Sequence, residues 1–336
     1  MDNQPESGLD FDGMSRRELL RFGAVFATTA LLAACGGKTL ETATAPSSSA
    51  APTTRTPAVR LPAVSTTAPR TTTPEVPSAP APDFAIDFSR EPAGALNPAR
   101  WNFEEGTEAA DDNQEAQAYT SRPENVRVEG GKLLIQAHPE IYGGRKYTSA
   151  RITTQGKFDF QYGSLVVRAK MPKGVGTWPA IWLLPSHPVF TANATDAQFN
   201  NPDDPYFYAK DGEIDMAEAY GNRPGYVEAT VNTYNNLKAG HPAGGSITLP
   251  DLSGAFHDYE LDWRPGIMTF RVDGKPYLVA KKPSDNPDDW PYDKEKYHLI
   301  LNLALGGTGG GDVIDPAQAA NWRLEIASIT HTPLAK

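Results

Sequence analysis

Apolar and polar residues alternate with a period of two between turn residues, and this pattern sets the fold class of residues 83–336. Leu133-Leu134-Ile135-Gln136-Ala137 and Gly163-Ser164-Leu165-Val166-Val167-Arg168 are short runs bounded by Gly, Pro and Asp. Such runs bury one strand face and leave the other wet. Phe256 to Trp263 and Phe270 to Lys275 form another pair, with a Pro-Gly turn between them and an Asp-Gly turn closing the second. Strands in this density, without intervening helical patterns, predict an all-β sandwich rather than an α/β fold. About 250 residues lie within the range of one large all-β domain, and no second domain is indicated.

One run carries chemistry: Glu213-Ile214-Asp215-Met216-Ala217-Glu218. On an ideal strand Glu213 and Asp215 share a face while Glu218 points to the other. A β-bulge at Met216-Ala217 restores Glu218 to the face of the other two. The Glu213–Glu218 separation is then about four strand steps, roughly 13 Å between Cα atoms. Leaning side chains can narrow this toward the roughly 5–5.5 Å that a double-displacement glycosidase needs between its carboxyls. Three close carboxylates cannot all stay ionised cheaply, so a proton settles where the surroundings stabilise an anion least. These considerations assign Glu213 as nucleophile, Glu218 as general acid and then base, and Asp215 as the group that orients and tunes Glu213. The competing interpretation of the run alone is a solvated acidic strand. A calcium loop fits poorly, because the alternating oxygen ligands, central Gly and terminal Glu are missing.

The run has informative company. Upstream, Gly174-Val175-Gly176-Thr177-Trp178-Pro179-Ala180-Ile181-Trp182-Leu183-Leu184-Pro185 places two Trp on one face of an apolar strand, and Tyr162-Gly163-Ser164-Leu165-Val166-Val167-Arg168-Ala169-Lys170 leads into it. Downstream come Tyr259-Glu260-Leu261-Asp262-Trp263 and Asn302-Leu303-Ala304-Leu305-Gly306-Gly307. In this order the motifs resemble glycoside hydrolase family 16, in the laminarinase-like, endo-β-1,3-glucanase branch, from about Phe84 to Thr332.

The resemblance implies a concanavalin A-like β-jelly-roll of two curved antiparallel sheets with an open concave cleft. It also implies retaining, endo-acting hydrolysis of β-1,3-glucan, or of mixed β-1,3-1,4-glucan, through a covalent glycosyl-enzyme. Glu213, Asp215 and Glu218 match the catalytic trio, Asn113 and Arg151 match glycone-subsite positions, and Trp178 and Trp182 match the aromatic wall. No cofactor is required; a structural calcium on the convex face is common in the family, with Glu325 and Asp87 as terminal-strand acids able to contribute. Two departures stand out. Relatives often carry a His on the strand after the acidic one, where this chain has Thr230-Val231-Asn232-Thr233-Tyr234, and a long polar segment, Ser186 to Asp211, precedes the catalytic strand. Such loops are commonly binding loops or lids. A galactan-directed hydrolase of the same family and a non-catalytic carbohydrate-binding surface lipoprotein remain as alternatives; the acid trio argues against the binder, which has no need of mutually repelling carboxylates.

The amino terminus is organised for export. Ser15-Arg16-Arg17-Glu18-Leu19-Leu20 is a twin-arginine pattern, and the apolar stretch from Phe22 to Ala34 is too short to span a bilayer. Leu32-Ala33-Ala34-Cys35-Gly36 has the form of a bacterial lipoprotein cleavage box, so residues 1–34 are expected to be a signal peptide. Cys35, the sole cysteine, is then the lipidated first mature residue. No intrachain disulfide can form, and one lipidated residue anchors a protein without a transmembrane helix. The expected location is the outer face of the cell membrane or the cell surface.

Residues 35–82 hold the lipidated Cys and a segment of mostly Ala, Pro, Ser and Thr, too poor in apolar surface to offset its conformational entropy. From Lys38 to Pro82 this tether reaches up to roughly 140 Å when extended. The signal carries three basic and five acidic side chains and the tether four and two, so the catalytic domain, residues 83–336, carries the whole net charge of −10. That charge argues against a nucleic-acid partner. Gly-rich phosphate loops, zinc-type His/Cys clusters and internal repeats are absent from the sequence. The expected partners are a polysaccharide and, through Cys35, a membrane, with the domain a monomer.

Overall fold

Strand pairing in the computed structural model follows the alternation. Residues 80–111 and 113–335 are described; the expected signal peptide, Cys35 and the tether as far as residue 79 lie outside them. Two eight-stranded sheets face each other, with a three-stranded sheet beside them. The first runs Lys275–Lys281, Ile267–Val272, His257–Arg264, Gly163–Lys170, Arg323–Thr332, Lys132–Gln136 and Val126–Glu129, with Phe84–Asp87 also paired to Arg323–Thr332. The second, catalytic sheet runs Ala243–Thr248, Tyr226–Asn232, Glu213–Ala219, Thr177–Pro185, Tyr297–Leu305, Arg151–Thr153 and Asn102–Glu104, with Asp159–Phe160 also paired to Tyr297–Leu305. Pairing within both large sheets is antiparallel, as in a β-jelly-roll.

Alternate side chains meet between the sheets. Leu165, Val167, Leu261, Trp263 and Phe270 come from the first, and Ile181, Leu183, Ile214, Val227, Val231, Leu301 and Leu303 from the second; all are essentially fully buried. The two expected turns sit where their residues permit. Gly266, after Pro265, has φ 71°, and Asp273 and Gly274 have φ 50° and 73°, the two positive angles that a type I′ hairpin demands. Tyr297–Leu305 is buried on both faces, because the segment through Glu115 covers it: Ala116 N–H donates to Leu305 O at 2.8 Å.

The Ser186–Asp211 segment is tied down. The Asp211 carboxylate accepts the backbone N–H groups of Val189, Phe190 and Thr191 at 2.6, 2.7 and 2.9 Å and the Thr191 hydroxyl at 2.5 Å. Lys210 pairs with Asp288, and Tyr234 Oη donates to Asp204 at 3.1 Å. Joining the end of the Trp strand to the start of the acidic one, the segment borders the catalytic sheet on the Glu213 side.

The two acids expected to contribute to a calcium site are otherwise engaged. Glu325 holds Lys170 at 2.8 Å and Lys132 at 3.0 Å, one on each oxygen, and Asp87 accepts the N–H and hydroxyl of Ser89. A carboxylate already neutralised by two ammonium groups does not fit a cation site. Among the described residues, no group of three or more His, Cys, Asp or Glu side chains converges to hold a metal.

Candidate active site

The bulge lies where parity requires it. Asp215 and Glu218, three residues apart, pair with Thr230 and Glu228, two apart. On the other side, Trp182 and Ile181 pair with Asp215 and Ala217, leaving Met216 as the extra residue. Met216 and Ala217 are buried in the core, and the Tyr277 hydroxyl donates to the Met216 carbonyl, pinning the bulge from the opposite sheet. Glu213, Asp215 and Glu218 therefore project from one face. Asp215 is only 6% exposed and the other two are half-buried, so this is not a solvated acidic strand.

Register aligns the neighbours. One row across the sheet runs Glu104, Arg151, Asn302, Ala180, Glu218 and Glu228; the next runs Thr153, Ile300, Trp182, Asp215 and Thr230. Asn232 lies across from Glu213, and its amide donates one N–H to Glu213 Oε1 and one to Asp215 Oδ2, both at 2.9 Å. Within the stretch noted for lacking a His, Asn232 thus supplies a neutral double donor. Tyr292 Oη donates to the backbone carbonyl of Asn232 at 2.7 Å and lies 3.2 Å from that of Glu213, bridging this cross-strand pair.

The acid is held differently. Trp178 Nε1 donates to Glu218 Oε1 at 2.8 Å. A Cβ on Gly309 would fall 2.3 Å from the Trp178 ring, so backbone packs against that ring. Trp178 is therefore less an open sugar platform than a clamp on Glu218. Trp182 also makes a polar contact, at the head of a relay in which each donor points the same way: Trp182 Nε1 to Asn302 Oδ1 at 2.9 Å, Asn302 Nδ2 to Tyr119 Oη at 3.1 Å, and Tyr119 Oη to Glu115 Oε2 at 2.7 Å. Gln117 and Asn113 donate to the same carboxylate at 2.6 and 3.4 Å. Aligned bonds ending on a carboxylate polarise one another. The Arg151 guanidinium lies 4.7 Å from the Trp182 ring centroid and pairs with Glu104 at 2.6 Å. Asn113 and Arg151, far apart in sequence, thus converge on one network.

Electrostatics separates the carboxyls. Burial raises Glu213, while the Asn232 amide and the Arg151 charge pull it back. Asp215 is pushed well above the ordinary range by burial and by the charges of Glu213, Glu218 and Glu228. Burial pushes Glu218 to about 8, opposed by bonds from Trp178 and Tyr220 and reinforced by Glu213 and Glu228. At neutral pH Glu218 keeps its proton, and Glu213 is the member of the trio best supplied with donors and positive charge.

Sequence reasoning named Asn113, Arg151, Trp178, Trp182 and the trio, but missed Asn232, Glu115, Tyr119, Asn302 and Glu228. The alternation of polar residues Asn113, Glu115, Gln117 and Tyr119 was the available signal for two of these.

Comparison with known proteins gives the same frame. The family model described as "Glycosyl hydrolases family 16" matches residues 112–322. A beta-glucanase of Rhodothermus marinus is 39% identical over 235 residues, spanning 67% of this chain and 76% of the relative. Among solved structures, the laminarinase from Rhodothermus marinus superposes with a TM-score of 0.67 at 36% identity, covering 76% of this chain and 98% of that one. A mutant of SCLam, a non-specific endo-β-1,3(4)-glucanase, gives a TM-score of 0.63 at 34% identity over 76% of this chain and 95% of its own, and presents a 1,3-β-D-cellobiosyl-glucose at its active site. With its bulged trio and jelly-roll sheets, the chain belongs to glycosyl hydrolase family 16.

Proposed function

We propose that this protein is an endo-acting, retaining glycoside hydrolase of β-1,3-glucan or mixed β-1,3-1,4-glucan. The observation that carries the reading is the bulge, which places three carboxyls on one face in three different environments. In the first displacement the Glu213 carboxylate attacks the anomeric carbon while Glu218 gives its proton to the departing glycosidic oxygen. A covalent glycosyl-enzyme forms, and the reducing-end fragment leaves. Glu218, now ionised, takes a proton from water, which attacks the same carbon and frees Glu213 with the anomeric configuration retained. Asp215, held with Glu213 by Asn232, keeps the nucleophile oriented and tunes its charge. Asn113, Arg151 and Trp182 bind the glycone, and Trp178 fixes the acid.

The test is product analysis of the purified protein on laminarin, lichenan, agarose, porphyran and β-1,3-galactan, with Glu213→Gln as the blank. Oligosaccharides from laminarin or lichenan, with β-configured reducing ends at first appearance and none in the blank, are expected. Release only from a galactan would change the sugar and keep the mechanism, whereas strong glucan turnover by Glu213→Gln would remove the nucleophile assignment.

The same reading places the enzyme at the cell surface. Twin-arginine export and lipidation of Cys35 anchor it, and the Ala/Pro/Ser/Thr segment gives it reach. Cys35→Ala is expected to release the protein from the membrane fraction with unchanged turnover; persistence of the variant in that fraction would refute the anchor.

A further inference from the structure

A fourth carboxylate lies beside the trio and has no role in the chemistry above. Glu228 is the direct cross-strand partner of Glu218, on the side of the acidic strand opposite Trp178 and Arg151. Since Asn113, Arg151 and Trp182 hold the glycone in the proposed mechanism, Glu228 faces the sugar that leaves. The carboxylate is half-buried beside a strand poor in side chains: Glu228 pairs with Ser246, and Gly244 and Gly245 precede that residue. A Cβ built on Gly244 would lie 3.8 Å from Glu228 Oε1, so a side chain there would crowd the carboxylate. Like charges directly opposed in a sheet are destabilising, so this pairing is costly unless one member keeps its proton.

Among the described residues, no cation figures among the influences on Glu218. Glu213 and Asp215 flank Glu218 on its own strand, Trp178 contributes a neutral N–H, and Tyr220 and Tyr277 approach from the following turn and the opposite sheet. Arg223, on the same side, stacks on the Tyr226 ring at 3.4 Å. The charge of Glu228 is among the causes that lift both Glu218 and Asp215.

We propose that Glu228 is a positioning and specificity residue of the leaving-group side, whose negative charge keeps the proton on Glu218 and restricts the departing sugar to an uncharged pyranose that offers hydroxyl donors. The proposal rests on Glu218 being the general acid. Anionic glycans, bearing sulfate or uronate on the aglycone, are repelled at that position.

The experiment compares wild type, Glu228→Gln and Glu218→Gln. For Glu228→Gln the alkaline limb of kcat/KM on laminarin is expected to move to lower pH by about half to one unit, with the acid limb fixed. The ratio of kcat/KM for carboxymethylated over neutral laminarin is expected to rise several-fold. An unmoved alkaline limb overturns the proposal even if Tm rises, because a Glu228 charge acting on Glu218 must move that limb when it is removed. The underlying assignment is tested separately. Glu218→Gln should lose laminarin hydrolysis yet still cleave a 2,4-dinitrophenyl laminaribioside, whose leaving group needs no proton; wild-type laminarin turnover by that variant would refute the acid role itself.

Discussion

At the residue scale, neutral donors decide which carboxyl is acid and which is nucleophile. Asn232 stabilises the ionised form of Glu213, so its removal leaves that carboxyl with burial opposed mainly by Arg151. Hydrogen bonds to charged groups contribute about 1.5–3 kcal/mol, which converts to a loss of roughly ten- to a hundredfold in kcat/KM for Asn232→Ala. The sign of the pH effect follows: Glu213 must be ionised to attack, its pKa rises without the donor, and the acid limb moves to higher pH. Trp178→Phe acts on the other limb. Losing the indole N–H removes the largest influence holding Glu218 down from the value of about 8 to which burial pushes it, so the alkaline limb is expected to move upward. Initial rates on laminarin across pH check both, and movement of the wrong limb in either variant would contradict the division of roles.

At the element scale, the bulge is what makes one strand a site. Deleting Met216 leaves Glu213-Ile214-Asp215-Ala217-Glu218, in which strict alternation keeps all three acids on one face without a bulge and the pairing of Glu218 with Glu228 is preserved. Met216 is buried in the core, so its loss is expected to lower Tm while glucan turnover stays measurable; a folded deletion variant without turnover would show that the bulge does more than correct the parity. This element was legible in sequence because parity is strict: two acids at even spacing and a third at odd spacing need one inserted residue. The hairpin turns were legible for a similar reason, since Asp273 and Gly274 tolerate positive φ. The relay from Trp182 to Glu115 was not. Asn302 and Tyr119 stand 183 residues apart and meet only when the Glu115 segment covers Tyr297–Leu305, a non-local pairing that no periodicity encodes. Asn232 was visible only as a missing His, since its role depends on standing across from Glu213 in the register.

At the scale of the whole molecule, the site works against the fold that carries it. Burial raises Glu115, Glu213, Asp215 and Glu218 together. An acid whose pKa is higher folded than unfolded gives up its proton in the unfolded chain first, so stability is lost as pH climbs from the unfolded value to the folded one. For Glu218 that window runs from 4.5 to about 8. Acids with lowered values, such as Glu140, Asp273 and Glu325, act in the opposite direction and lose their contribution as pH falls toward and below the ordinary carboxylate range. Stability should therefore be greatest in mild acid, between the two effects. Glu218→Gln removes one titrating member from the alkaline side. After discounting for its partial exposure, a gain of about 1 kcal/mol at pH 8.5 corresponds to a Tm increase of roughly 2–4 °C for a domain of this size, with little change at pH 4.5. Thermal unfolding of wild type and Glu218→Gln at the two pH values measures it. Equal Tm differences at both would mean that the carboxyl's protonation is not what the fold resists. A gain confined to the alkaline side would mean that the charge asymmetry set up for catalysis is maintained at the expense of stability.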